Sequence, residues 1–277
     1  MNAVPRPAVA PDPLAAWRLT DAPWYTPQAD EVEVFEAAHA RRLPVLLKGP
    51  TGVGKTRFVE HMAWRLKLPL VTVACHEDLG AADLVGRWLL EADGTRWQDG
   101  PLTLAARHGA ICYLDEIAEA RADTTVVLHP LADNRRLLPI DKRNELVAAH
   151  ADFQLVVSCN PGYQSFERSL KPSTRQRFCA LSFAPPRPEH EQQIVMREGG
   201  VEADVAERLV ALAARTRRLR DEGLEEGAST RTLVHAAQLI GQGLSPRRAC
   251  DLAIVQPLTD DPALAEALQG LVDACWP

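Results

Sequence analysis

No apolar run in this chain reaches the roughly 18 residues that a membrane-spanning helix needs, so no membrane span is expected. Paired cysteines are missing too. The six that occur (Cys75, Cys112, Cys159, Cys179, Cys250 and Cys275) form no CxxC pair and no metal spacing, which excludes a disulfide framework and a zinc module. They read as reduced, mostly buried thiols of a cytoplasmic protein. Net positive charge is absent: the formal charge is -6 and the isoelectric point near 5.8, so nucleic acid is not an expected partner. The opening "MNAVPRPAVAPDP" has neither the apolar core of a secretory signal nor the Arg/Ser-rich helix of a transit peptide. It reads as a flexible Pro-rich arm over residues 1–23. No internal repeat is visible. What the chain has is 46% hydrophobic residues over 277 positions, enough to bury a sizeable core.

Past the arm, Val32, Phe35 and Ala38 fall at helical spacing and stop before Pro44. "PVLLKG" reads as a strand, and after a Gly-rich loop Phe58, Met62 and Leu66 repeat every four residues, so the loop opens a helix. "LPLVTVAC", "AICYLDEI", "FQLVVSCNP" and "FCALSFAP" read as further strands, with a short helix around Leu102 to Arg107. Strands alternating with helices predict a parallel sheet covered on both faces. "APPRPEH" marks a boundary, and five helical segments follow it. The expected architecture is an α/β domain over 24–184 and a small all-α domain over 185–277.

The strand, loop and helix around "GPTGVGKT" carry the strongest chemical signal. Gly49, Gly54, Lys55 and Thr56 fit G-x-x-x-x-G-K-[ST], in which backbone N–H groups surround phosphates, the lysine reaches the β/γ oxygens and the hydroxyl binds Mg²⁺. Gly49, Pro50, Thr51, Gly52, Val53, Gly54, Lys55, Thr56 and Arg57 are therefore the candidate nucleotide-binding stretch, with ATP and Mg²⁺ as the expected ligands. Asp115 and Glu116 end an apolar strand; the first suits the metal shell and the second suits polarising a water. Thr56 and Asp115 are the candidate metal ligands. Asn160 ends a strand expected beside the loop, where its amide reads the γ-phosphate, or else forms an Asn-Pro turn. Arg175, Arg177 and Arg231 are candidates for transition-state charge stabilisation, against surface salt bridging as the alternative.

In this order the motifs resemble an AAA+ ATPase: "GPTGVGKT" as Walker A, "CYLDE" as Walker B, "VVSCNP" as sensor 1, "RQRF" as the finger region and "STR" as sensor 2. More narrowly, the blocks "LPVLLKGPTGVGKTRFVEHMAWRL", "VACHEDLGAADLVGRWLLEADGTRWQDGPLTLA", "GAICYLDEIAEARADTTVVLHPLADNRRLLPI" and "NPGYQSFERSLKPSTRQRF" resemble the CbbQ/NirQ/NorQ branch of the MoxR-type group. The fold this implies is a P-loop three-layer α/β/α domain followed by an α-helical lid. The implied roles are Lys55 and Thr56 on phosphate and Mg²⁺, Asp115 on the metal, and Glu116 on the water. Asn160 becomes sensor 1, Arg177 the finger with Arg175 second, and Arg231 sensor 2. "DEIAEARADTT" departs from the Asn and Arg-Ala-Pro of MoxR-type chains, which leaves the role of Arg121 open.

The resemblance also implies two inserts: a helix-2 hairpin over "DLVGRWLLEADGTRWQDGPL" turning at Gly94, and a pre-sensor-1 hairpin over "ADNRRLLPIDKRNELVAAHADF". Trp88 and Trp97 are packing aromatics or interface anchors. The basic runs at Arg135 and Arg215 read as solvated faces, the second with Glu222, Glu225 and Glu226 as its neighbours. The implied assembly is a hexameric ring working with a von Willebrand factor A domain partner on a client protein. Rubisco, freed of tight-binding sugar phosphates, is the preferred client. A nitric-oxide reductase activation or metal-cofactor insertion factor and a nucleotide-gated binding module are the alternatives.

Overall fold

The computed structural model describes residues 12–160, 170–219 and 223–276. Residues 1–11 of the expected arm, positions 161–169 of the last resembling block, Arg220, Asp221, Glu222 and Pro277 lie outside the described residues. The rest of the expected arm is not loose throughout. Leu14 is buried in the core, a 3-10 turn spans Ala15–Trp17, and Arg18 donates to the Lys67 carbonyl.

Helix α1 (Glu31–Ala40) leads to β1 (Val45–Lys48), and α2 (Lys55–Leu66) to β2 (Leu70–Ala74). A short α3 (Ala81–Val85) opens the hairpin β3 (Gly86–Glu91) and β4 (Gly94–Asp99), which α4 (Pro101–His108) follows. Next come β5 (Ile111–Asp115), α5 (Ala122–Leu128), the hairpin β6 (Leu137–Ile140) and β7 (Glu145–Ala148), and β8 (Gln154–Cys159). A turn of helix α6 (Pro172–Arg175) and β9 (Cys179–Ser182) complete the α/β part.

The main sheet has order β2-β5-β8-β1-β9, every pair parallel. Successive strand residues point to opposite faces, so near-continuous apolar strands feed two cores. Val45, Leu47, Ile111, Tyr113 and Val156 pack under Phe35 of α1 and Phe58 and Met62 of α2. Leu46, Cys112, Leu114, Leu155 and Val157 pack on the other face under Leu102 and Ala105 of α4 and Leu128 of α5. This is the expected three-layer arrangement. Strands β3–β4 and β6–β7 form two antiparallel hairpins; Gly94, paired with Glu91 beside the turn of the first, takes φ +135°, and Asn144, just before β7 in the second, takes φ +48°. Arg107 of α4 ties them together by ion pairs to Asp99 at 2.8 Å and Glu145 at 2.6 Å. Arg143 also lies over the Trp97 ring at 5.8 Å. Trp97 is partly buried, whereas Trp88 is 49% exposed and meets it edge-on.

The C-terminal helices are α7 (Pro188–Gly199), α8 (Ala203–Arg218), α9 (Thr230–Gly241), α10 (Pro246–Cys250), α11 (Gln256–Leu258) and α12 (Pro262–Cys275). They enclose a separate core that includes Val195, Leu209, Leu233, Ile254 and Val272. Ser229 caps α9 and Asp261 caps α12 through their side-chain oxygens. The segment read from sequence as one helix over "SPRRACDLAIVQPL" carries a π turn, Asp251–Val255, between α10 and α11. Pro257 has no N–H for the carbonyl one turn back, and the widened turn absorbs the loss. No helix among the described residues is long and apolar enough to cross a membrane.

Candidate active site

The phosphate loop begins where β1 ends at the carboxyl edge of the sheet, beside β8 on one side and β9 on the other. Gly49 has no room for a side chain, because a Cβ there would sit 2.5 Å from the Phe183 carbonyl oxygen. Gly54 takes φ +95° at the N-cap of α2, a conformation that glycine adopts without steric cost. Lys55 starts the helix and is only 7% exposed. Its ammonium donates to the carbonyls of Gly49 at 2.7 Å and Pro50 at 2.9 Å and to Asn160 Oδ1 at 2.6 Å. Burial lowers its pKa, and the carboxylates of Asp115, Glu116 and Glu226 oppose that shift.

The acidic pair stands at the carboxyl end of β5, which β8 separates from β1. Because β5 and β8 pair in register with Leu114 beside Val157, the next residues, Asp115 and Ser158, become neighbours. Ser158 Oγ and Tyr113 OH both donate to Asp115 Oδ1, the latter at 2.6 Å. Thr56 Oγ1 donates to Asp115 Oδ2 at 3.4 Å. Glu116 adopts φ +57°, uncommon for a residue with a side chain, and its N–H is held by Ser158 Oγ at 2.8 Å. Asn160 links three elements of the site: besides accepting from Lys55, its Nδ2 donates to Glu116 Oε1 at 3.2 Å and Thr51 Oγ1 at 3.3 Å. The strand carrying Asn160 pairs directly with β1, as expected.

A cavity of about 610 Å³ runs from this centre between the sheet and the helices. The whole stretch Thr51 to Arg57 lines it, with Asp115 and Glu116 on one side and Arg231 and His235 of α9 on the other. Arg231 thus reaches the phosphate loop: a Cβ on Gly52 would lie 3.3 Å from Arg231 Cβ. Toward the far end, Trp24 lies under the Arg197 guanidinium at 5.1 Å. Arg175 and Arg177 are not among the residues lining this cavity. Arg175 is exposed on α6, and Arg177 is ion-paired to Asp133 at 3.2 Å. Arg121 occupies the N-cap position of α5, pairs with Asp123 at 3.3 Å and is not among the residues lining the cavity. Sequence reasoning missed Tyr113, Ser158 and Glu226. The first was legible as the residue two before Asp115 on one strand face.

Residues 44–178 match the AAA domain, dynein-related subfamily, and residues 191–275 match the C-terminal domain described as CbbQ/NirQ/NorQ. Protein CbbQ of Hydrogenophilus thermoluteolus is 61% identical, the match covering 90% of this chain and 93% of that one. The chain belongs to the CbbQ/NirQ/NorQ family. Two other members are similar at 58% identity: the denitrification regulatory protein NirQ of Pseudomonas aeruginosa, over 91% of this chain and 96% of that one, and NorQ of Paracoccus denitrificans, over 92% and 95%. Among solved structures, NtrX of Brucella abortus aligns at 16% identity with a TM-score of 0.54, covering 80% of this chain and 53% of that one. A RuvB variant of Thermotoga maritima aligns at 17% identity with a TM-score of 0.50, covering 91% and 85%. At those identities the two structures speak for the fold alone.

As a CbbQ/NirQ/NorQ protein with an AAA domain, the chain is an ATPase that uses ATP and Mg²⁺. The residues present fit both. Gly49 and Gly54 shape a loop that a Cβ would fill or strain, and Lys55 puts a cation at its floor. Thr56 Oγ1 and Asp115 Oδ2 are paired hard oxygen donors of the kind that Mg²⁺ takes alongside phosphate and water.

Proposed function

We propose that this protein is a ring-forming motor, hexameric and cytoplasmic, that converts ATP hydrolysis into remodelling of a client protein. The observation that carries the reading is a site complete in every part but one. Lys55, Thr56, Asp115, Glu116, Asn160 and Arg231 converge on one cavity, while Arg175 and Arg177 stand outside it. An arginine displayed away from its own site suits delivery to a neighbour's γ-phosphate. In this reading residues 24–184 and 185–277 are the two working units. Lys55 neutralises phosphate charge, and Thr56 and Asp115 hold the metal. Glu116 orients the attacking water, with Asn160 positioning Glu116 and reading the γ-phosphate. Arg231 carries phosphate loss to the helical lid, and Arg177 is the finger, with Arg175 second. Magnesium held by Thr56 and Asp115 would supply neutralisation of phosphate charge.

For the client we propose rubisco inhibited by tight-bound sugar phosphates, engaged with a von Willebrand factor A domain adaptor. The similarity to CbbQ supports this choice. The similarity to NirQ and NorQ supports a second reading, activation of a nitric-oxide reductase. The deciding experiment mixes the chain, its adaptor, inhibitor-locked rubisco and Mg-ATP. Recovery of carboxylase activity that Glu116→Gln abolishes supports the first reading. No recovery, together with reductase maturation that depends on the chain, supports the second. Client function that survives Glu116→Gln would point instead to a nucleotide-gated binding module.

A further inference from the structure

Glu226 reads from sequence as one counterion near a basic run, yet the fold delivers it to the phosphate loop. Its Oε1 accepts a hydrogen bond from the Thr51 backbone N–H at 3.3 Å. N–H groups of such a loop are the donors that bind phosphate, so a carboxylate there takes the place of an anion. A second cavity, about 410 Å³, contains Glu226 with Thr51, Glu116 and Asn160 but none of the loop residues from Gly52 to Arg57. Glu226 therefore lies at the hydrolytic end of the site. A glutamate that orients the attacking water, the role proposed for Glu116, faces the terminal phosphate of ATP, the group that ADP lacks.

The position is built rather than incidental. Leu224 is buried in the lid core two residues before it. Gly227, the next residue, packs so closely that a Cβ would stand 2.5 Å from Arg217 Cα. The Ala228 N–H donates to Thr216 Oγ1 at 3.0 Å, and its carbonyl accepts from Arg217 Nε at 2.8 Å. A loop anchored on both sides projects Glu226 at Thr51 and continues into Arg231 at the start of α9. Burial raises the pKa of the Glu226 carboxyl, while the Thr51 N–H and Lys55 pull it back.

We infer that Glu226 discriminates between nucleotides: its carboxylate occupies a phosphate-loop donor and opposes the terminal phosphate of ATP while leaving ADP nearly untouched. ATP must displace the carboxylate, and the loop that carries it pulls on the helix bearing Arg231. The inference rests on ATP use by this loop and on the proposed roles of Glu116 and Asn160 at the γ-phosphate end, and needs no finger, ring or client. Glu226→Gln preserves shape and the Oε1 acceptor but removes the charge. The test titrates the full chain at equilibrium with Mg-ADP and with a non-hydrolysable Mg-ATP analogue. The glutamine variant is expected to bind the ATP analogue about tenfold more tightly, the size of one like-charge contact in a partly wet site. ADP affinity is expected to stay near wild type. Glu226→Asp, which keeps the charge, is expected to keep the wild-type preference. Equal tightening of both nucleotides, no change, weaker binding of the analogue, or an aspartate variant that behaves like the glutamine one overturns the inference.

Discussion

The lid depends on one buried ion pair, and Glu191→Ala should expose how much. Glu191 stands in the first turn of α7, 1% exposed. It accepts two hydrogen bonds from Arg217, at 2.8 and 2.7 Å, and a third from Thr230 Oγ1 at 2.6 Å. Truncation strands a guanidinium that is itself 22% exposed and leaves the Thr230 hydroxyl without this acceptor. Breaking a buried pair from one side costs about 3–5 kcal/mol, because the surviving charge stays desolvated. That is a large share of the roughly 5–15 kcal/mol that keeps a domain folded. Urea unfolding of the full chain followed by circular dichroism should show the loss as a lower midpoint at unchanged slope. Thr230 precedes Arg231, so ATP affinity should fall with it. The double variant Glu191→Leu with Arg217→Met removes both charges and should recover most of the stability. A loss below about 1 kcal/mol in Glu191→Ala, or a double variant no better than the single one, would refute the reasoning.

Asn160→Ala should lower kcat for ATP about 100-fold with little change in KM, since the amide holds Glu116 and Lys55 at once; steady-state hydrolysis checks this, and a rise in KM alone contradicts it. Arg107→Ala should release the two hairpins from each other while leaving basal hydrolysis close to wild type, so only client-dependent activity should drop. Hydrogen bonds from Arg135, aided by the charges of Arg135 and Arg177, hold the Asp133 carboxyl at about 2 against an ordinary 3.8. The folded state therefore binds fewer protons there than the unfolded chain, so the Asp133 contribution is complete above the unfolded value and is lost as pH falls through about 2. Acid unfolding of Asp133→Asn should lack this component; an acid limb that superimposes on wild type would count against it.

The α/β half was legible because its signals are local and periodic. Alternate residues of β1, β5 and β8 serve two cores, so the strands read as near-continuous apolar runs; Gly49 follows β1, Gly109 precedes β5 and Pro161 follows β8 in the sequence. Phe58 and Met62 fall on one helical face and are buried there. Helix α5 escaped notice because "ADTTVVL" is β-branched and lacks a four-residue apolar repeat; packing of Leu128 and Leu131 into the core holds it as a helix against its propensity. The basic run at Arg215 is a solvated face at Arg215 and Arg218, which are exposed, but not at Arg217. Charge patterning treats arginines as solvated, yet Arg217 turns inward because α7 offers it a buried carboxylate.

Within the site, what could be read and what could not divide by sequence distance. The phosphate loop, Asp115 and Glu116 announce themselves because phosphate chemistry fixes residue types over a few consecutive positions. Ser158 holds both Asp115 and the Glu116 backbone, but only strand register brings it there, and register is a property of the paired sheet. Glu226 is the extreme case, 175 positions from the Thr51 amide it meets. Its loop has no apolar period; it is placed by Leu224 in a core, Gly227 against a helix backbone and Ala228 on a threonine hydroxyl. Because that same loop leads into Arg231, the carboxylate proposed to repel the terminal phosphate and the arginine proposed to read it lie on one short segment of chain. On that proposal ATP binding has two opposed consequences for the lid, and their balance is altered at Glu226 without substituting Lys55, Thr56, Asp115 or Glu116.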